Sequence, residues 1–207
     1  PGCHDGLTRP PAAELSAWKM SGFSPTALDL YASCPFRFFA ARVLGLGERE
    51  EGSERGELTA QARGLVYHAA LERFYAALSE AEWGGARPWE PVFAAAADAV
   101  FAKNDWRALG VYPLLWEAAR LDMSARLRGF IEWDMARLRA AGIRPRLYEA
   151  RLRGAPPEGA PGGVPWTGVA DRIDADENKK IFHVADYKTS ANSRARNLAK
   201  RAAAGEL

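Results

Sequence analysis

The chain is poor in cysteine and histidine and contains no long hydrophobic run. Two cysteines, Cys3 and Cys34, in 207 residues make no disulfide framework. A small secreted scaffold stapled by disulfides is therefore excluded, and a cytoplasmic protein is the simpler expectation. No apolar stretch approaches the ~18 residues a membrane span needs, and no secretory leader opens the sequence, so no membrane partner is expected. The formal net charge is only +2, which excludes a chain that grips nucleic acid by bulk charge alone. There is no Gly-rich phosphate loop, internal repeat or coiled-coil heptad array. What is present suits one or two soluble domains. The chain is 48% hydrophobic and 26% charged, with seven Trp, nine Phe and six Tyr to fill a core.

Charge is distributed unevenly. Arg126, Arg128, Arg137, Arg139, Arg144, Arg146, Arg151 and Arg153 gather before and within the first expected strand, and Lys188, Arg194, Arg196, Lys200 and Arg201 follow the last one. Cations around an acidic site suit a polyanionic substrate, although any single Arg here reads equally well as part of a solvated helix face. Residues 1–22 are Pro-, Gly- and Ala-rich and read as a linker or loose arm. Ser24-Pro25 starts a helix, with Ser24 as cap and Pro25 in the first turn. The helix breaks before Pro35, and a second run reaches Leu44 with Gly45 as its stop. Residues 48–57 form a charged loop. Helices are expected over 64–78, 89–109 and 113–141, the last ending at Gly142. In the first of these, Tyr67, Leu71, Phe74 and Leu78 form one apolar stripe, and Leu65, His68, Glu72 and Tyr75 the adjacent one. A strand over 146–153, a Pro/Gly loop over 154–163 and a hairpin follow, then helical character over 194–204. The class is α+β: a helical part, residues 23–142, and a β-containing part, residues 143–207.

The hairpin carries the most informative residues. Two apolar runs, 164–173 and 181–187, flank the polar stretch Asp174-Ala175-Asp176-Glu177-Asn178-Lys179-Lys180. A turn centred between Asn178 and Lys179 sets Ile173 against Val184 and Asp171 against Asp186. Facing side chains in such a ladder stand ~5 Å apart, where like charges repel. Alternation places Lys188 on the same side as Asp186. Asp-x-Lys alone is a common feature of solvated strand edges. Two facing carboxylates beside an ammonium, however, suit a divalent cation that activates water.

Four sequence features occur in an order shared with a known family: Ser24-Pro25-Thr26-Ala27-Leu28 with Cys34-Pro35-Phe36-Arg37-Phe38-Phe39; Gly64-Leu65-Val66-Tyr67-His68; Gly168 to Asp174; and Asp186-Tyr187-Lys188-Thr189. From about Phe23 to its end the chain resembles the RecB/AddB-type nuclease domain of the PD-(D/E)xK superfamily. The resemblance implies a restriction-endonuclease-like core and a magnesium- or manganese-dependent deoxyribonuclease. Its setting would be a bacterial recombination-repair exonuclease or helicase–nuclease, acting on DNA beside a helicase partner subunit. Exonuclease action is favoured over endonuclease action. Heavy use of Ala, Gly, Pro and Arg agrees with a GC-rich bacterial genome. By the same resemblance His68, Asp171, Asp186 and the Tyr187 backbone carbonyl would hold the metal, and Lys188 would orient water or offset charge on phosphate. Without the family, His68 reads as a satisfied helix histidine. Glu149 is a candidate supporting carboxylate. Tyr75, Trp166 and Arg172 are read as core or substrate-lining.

Two departures from the family pattern follow. A Gln-x-x-x-Tyr segment on a core helix, and then a further strand, usually come after Asp-x-Lys. This chain stops at Leu207 and begins Pro-Gly-Cys, so it reads as an excised fragment lacking part of the catalytic core. On that reading it has little activity of its own and an unpaired sheet edge open to self-association. Some relatives also hold a four-iron cluster on one cysteine of the Cys-Pro motif and three downstream. Cys34 matches the first, but no downstream cysteine exists, so an iron–sulfur cluster is compatible with a longer parent and not with this chain. The alternative function is an inactive nuclease-like module that only binds DNA or a helicase. The joint presence of His68, Asp171, Asp186 and Lys188 argues against it.

Overall fold

The structure is a computed structural model, and it describes residue 16 and residues 20–46, 56–155, 165–176 and 180–188. Expected features at 48–55, 156–163, 177–179 and 189–207, including the helical character over 194–204, lie outside the described residues. Most of the expected N-terminal arm does too, although Ser16, Met20 and Ser21 are helical.

Two compact units are distinguished, residues 1–50 with 150–170 and residues 51–149 with 171–207. They are interleaved in sequence, so this division differs from the sequential one expected at residue 142. In the first unit, α1 (Pro25–Ser33) is capped by the Ser24 hydroxyl, which accepts the Ala27 N–H. Cys34 ends it and starts α2 (Pro35–Phe38), which continues as a single π-helical stretch, Phe39–Val43. Phe38 is buried, with the rings of Phe23 and Tyr31 at 6.3 and 5.4 Å.

The second unit holds the main core. Thr59 caps α3 (Ala60–Ala77) by accepting the Ala62 N–H. The helix starts four residues before the expected boundary, because that cap lies upstream of the apolar pattern. Val66, Tyr67, Ala70, Leu71, Phe74 and Tyr75 are buried, whereas Leu65, assigned to a stripe by spacing, is exposed. After the short α4 (Glu80–Trp83), the expected single helix over 89–109 is two: α5 (Glu90–Lys103) and α6 (Trp106–Leu109). The break has a local cause. The Asn104 side chain donates back to the Val100 carbonyl, and the Asp105 carboxylate caps the new helix through the Ala108 N–H.

The long α7 (Pro113–Ala141) buries Trp116, Met123, Leu127, Ile131, Asp134, Met135 and Leu138, a stripe of helical period containing one acid. It ends where Gly142 turns left-handed at φ 67°. Helices α3, α5 and α7 pack on one another around Phe74, whose ring meets those of Tyr75, Trp89 and Phe93 at 5.0, 5.8 and 6.2 Å.

Strands β1 (Arg144–Gly154), β2 (Trp166–Asp176) and β3 (Ile181–Ala185) form a sheet in that order. Pairing of β2 with β3 is antiparallel, and Ile173 faces Val184. The ladder stops at Arg172 opposite Ala185, one pair short of the expected Asp171–Asp186 step. The fold is a helical region followed by a small sheet, α+β as the sequence indicates.

Candidate metal centre

His68, Glu149 and Asp171 converge, with one ligand atom from each lying within 4.8 Å of the others. The helix, the first strand and the second strand each supply one member. His68 comes from the middle of α3, where its helix is anchored by Tyr67 and Leu71 on either side. Its Nδ1 is 3.5 Å from Asp171 Oδ1 and 3.8 Å from Glu149 Oε1. The other ring nitrogen, Nε2, is 3.1 Å from the Tyr187 carbonyl oxygen. A carbonyl only accepts, so Nε2 carries the proton in this bond. The Nδ1 lone pair of a neutral ring then faces two carboxylates. Such a contact is repulsive until a proton or a cation stands between them, and this arrangement fits a cation.

Glu149 reaches the group through a strained backbone. It lies within β1 yet has φ 44°, in the left-handed region where non-glycine residues are uncommon. Burial pushes its carboxyl up from the ordinary range, Asp171 adds to the rise, and His68 opposes it. Asp171 is largely shielded. One of its oxygens faces His68, and the other accepts the Tyr187 N–H at 2.6 Å. That hydrogen bond lies just past the last pair of the ladder, in the register that continues to Asp171 and Asp186, and it directs the Asp171 carboxylate to the Tyr187 peptide.

Asp186 is exposed and is not one of the donors in this group. It pairs instead with Lys188, whose Nζ is 2.8 Å from Oδ2 and 2.9 Å from Oδ1. The Tyr187 carbonyl, expected as a metal ligand, accepts from Nε2, on the side of the imidazole away from the carboxylates. Cys34 is a free thiol whose sulfur accepts the Arg37 N–H at 3.4 Å, as the cap of α2. It is the only cysteine among the described residues.

Beneath the site lies a group the sequence reading did not assemble. Arg172 and Asp134 are each 1% exposed. Arg172 Nη1 donates to Asp134 Oδ2 at 2.6 Å and to the Tyr187 hydroxyl oxygen at 2.9 Å. Nη2 donates to Asp174 Oδ2 at 3.0 Å, and Nε lies 2.7 Å from Asp174 Oδ1 as an ion pair without hydrogen-bond alignment. Asp134 also accepts from the Tyr75 hydroxyl at 2.6 Å and from Arg137 at 2.7 Å. Burial would push its carboxyl up, but the Arg172, Tyr75 and Arg137 hydrogen bonds outweigh it and hold Asp134 below the usual carboxylate range. Asp134 was legible in principle: an acid inside the apolar stripe of a long helix needs a buried partner.

A cleft of about 560 Å³ adjoins the Asp-x-Lys motif. Its walls include Arg126, Phe130, Trp133 and Arg137 of α7 and Asp186 and Lys188 beyond β3. Trp133 is 59% exposed, with the Arg137 guanidinium 5.6 Å from its ring centre. Among the described residues no helix is long and apolar enough to cross a membrane.

Comparison with known proteins identifies the chain at the level of a family. No curated protein and no solved structure gave a match. The family model described as the PD-(D/E)XK nuclease superfamily matches residues 22–204, nearly the whole sequence. The chain belongs to the PD-(D/E)XK nuclease superfamily.

Proposed function

We propose that this protein is a magnesium- or manganese-dependent deoxyribonuclease of the RecB/AddB type. In this reading it hydrolyses phosphodiesters, as an exonuclease, in a cytoplasmic recombination-repair assembly with a helicase partner. The observation that carries the reading is the convergence of His68, Glu149 and Asp171 one peptide from Asp186 and Lys188. Two hard carboxylates and one borderline imidazole nitrogen form a mixed donor set that manganese accepts readily and magnesium can share, and three protein donors would leave coordination positions for water.

His68, Glu149 and Asp171 would hold the cation, with Asp186 as a further donor that the motif suggests, while the Tyr187 carbonyl serves the imidazole and not the cation. When bound, the cation would lower the pKa of water and offset charge on phosphate. The Tyr187 carbonyl holds the imidazole through Nε2, so that Nδ1 keeps its lone pair toward the carboxylates. Lys188 is stored against Asp186 with three N–H donors on a flexible stem, and its role is to stabilise charge developing on a phosphate oxygen. The DNA strand would follow the cleft along α7, where Arg126 and Arg137 meet phosphate and Trp133 offers a face to a base.

Manganese titration paired with digestion of labelled linear DNA tests this. Asp171→Ala should abolish manganese binding without loss of fold. Lys188→Ala should retain manganese affinity and lose at least about 100-fold in turnover, because a group acting in the transition state is not rescued by more metal. Digestion that persists in EDTA, or that Asp171→Ala leaves intact, would overturn the reading.

A further inference from the structure

The proposed nuclease chemistry makes no use of the ionic group under the site, yet that group holds the most thoroughly buried charges among the described residues. Two arginines and two aspartates, with two tyrosine hydroxyls, are interlinked there. Arg172 is held from every side. Its guanidinium lies 4.6 Å from the Tyr75 ring centre and 5.5 Å from that of Tyr187, and all three of its nitrogens face oxygens. Buried ion pairs are a poor source of net stability, since apolar replacements of similar volume are often neutral or better. What such a group does supply is direction, because a forked guanidinium fixes its partners in distance and angle.

The partner that leads from this group to the site is Tyr187. Its hydroxyl is bound by Arg172, and its ring is set edge-on against Phe130 and His68, at 5.8 and 5.7 Å. Its peptide groups carry the other end of the connection. The N–H is bound to Asp171 and the carbonyl to His68, two of the three donors. Asp186 and Lys188 are its immediate neighbours in the chain. One side chain therefore links the buried ions to the donors and to the Asp-x-Lys motif.

We propose that Arg172, held by Asp134 and Asp174, is a positioning residue that acts through the Tyr187 hydroxyl to fix His68 and Asp171 in the geometry that receives a divalent cation. The proposal rests on reading that cluster as a metal centre. It assigns no contact between Arg172 and substrate or metal. The Tyr187 ring serves as a strut between a rigid charged base and a partly exposed donor set, and such supporting partners typically contribute 10- to 100-fold in metal affinity or activity.

The test uses Tyr187→Phe, which keeps the ring and removes only the oxygen that Arg172 holds. Three measurements are made on the full chain: melting temperature in EDTA, manganese affinity by titration calorimetry, and the imidazole nitrogen resonances of His68 without metal. A core variant remote in sequence from the donors, Val100→Ala, serves as the stability control. Tyr187→Phe is expected to weaken manganese binding about tenfold and to shift the His68 resonances. Val100→Ala should lower the melting temperature and do neither. Arg172→Lys, whose single ammonium cannot meet both carboxylates and the hydroxyl, should exceed Tyr187→Phe in its effect on both. Unchanged manganese affinity and unchanged His68 resonances in a folded Tyr187→Phe protein would overturn the proposal. If the unsubstituted chain binds no manganese, the metal-centre reading fails on its own, and the His68 resonances alone decide whether Tyr187 positions that ring.

Discussion

Glu149 shows how one backbone angle carries a chemical role. A carboxylate in the interior of a strand would ordinarily have φ near −120°; here φ is 44°, and the side chain meets His68. The strained conformation costs on the order of 1–3 kcal/mol for a residue with a Cβ. Replacing Glu149 by Gly or by Ala removes the same carboxylate, but only Gly accepts the angle freely. Glu149→Gly should therefore melt above Glu149→Ala in metal-free buffer, while both lose manganese affinity equally. Equal melting temperatures would mean that the angle is not retained in the folded protein.

At the scale of the element, α7 is the component with two duties. Its buried stripe supplies core contacts from Trp116 to Leu138 and places Asp134 beneath β2. Its flank presents Arg126, Trp133 and Arg137 to the cleft. Arg126 and Arg137 are eleven residues apart, about 16 Å along a helix, with the aromatic ring between them. Stacking a base on such a ring contributes about 1–3 kcal/mol. Trp133→Ala should thus weaken binding of a short single-stranded oligonucleotide by about 5- to 150-fold, and Trp133→Phe should restore most of it. Fluorescence anisotropy in calcium checks this, and an unaltered affinity would remove α7 from the strand's path.

For the molecule as a whole, the buried ions tie stability to pH. Asp134 is held below the carboxylate range by Arg172, Tyr75 and Arg137, against the opposing pull of burial. The folded protein therefore keeps this group ionised at pH values where the unfolded chain takes up a proton. Its contribution is fully present above the ordinary carboxylate pKa of about 3.9 and is lost as pH falls through the folded value. Glu149 acts in the opposite sense, since burial and then Asp171 raise its pKa, so its ionisation destabilises the metal-free fold as pH rises. Denaturant titrations from pH 7 to pH 3 should show stability falling, with a shallower acid limb in Asp134→Asn and a steeper one in Glu149→Gln. Identical limbs in all three proteins would show that neither group titrates differently on folding.

The sequence by itself determined the local features, because caps, breakers and periodicity act over a few residues. Ser24, Gly142 and the Ile173–Val184 register are of this kind, each decided by neighbours in the chain. The break at Asn104-Asp105 was equally local but was masked by an apolar pattern running through it. The order of the motifs likewise pointed to the superfamily that the match over residues 22–204 shows. Only the tertiary structure decided which charges meet. The Asp171 carboxylate takes the Tyr187 N–H and faces His68, Lys188 is held by Asp186, and Arg172 takes Asp134 from 38 residues away. Pairing of buried charges is set by desolvation and by the few oxygens within reach in space, and a sequence records neither distance nor dielectric.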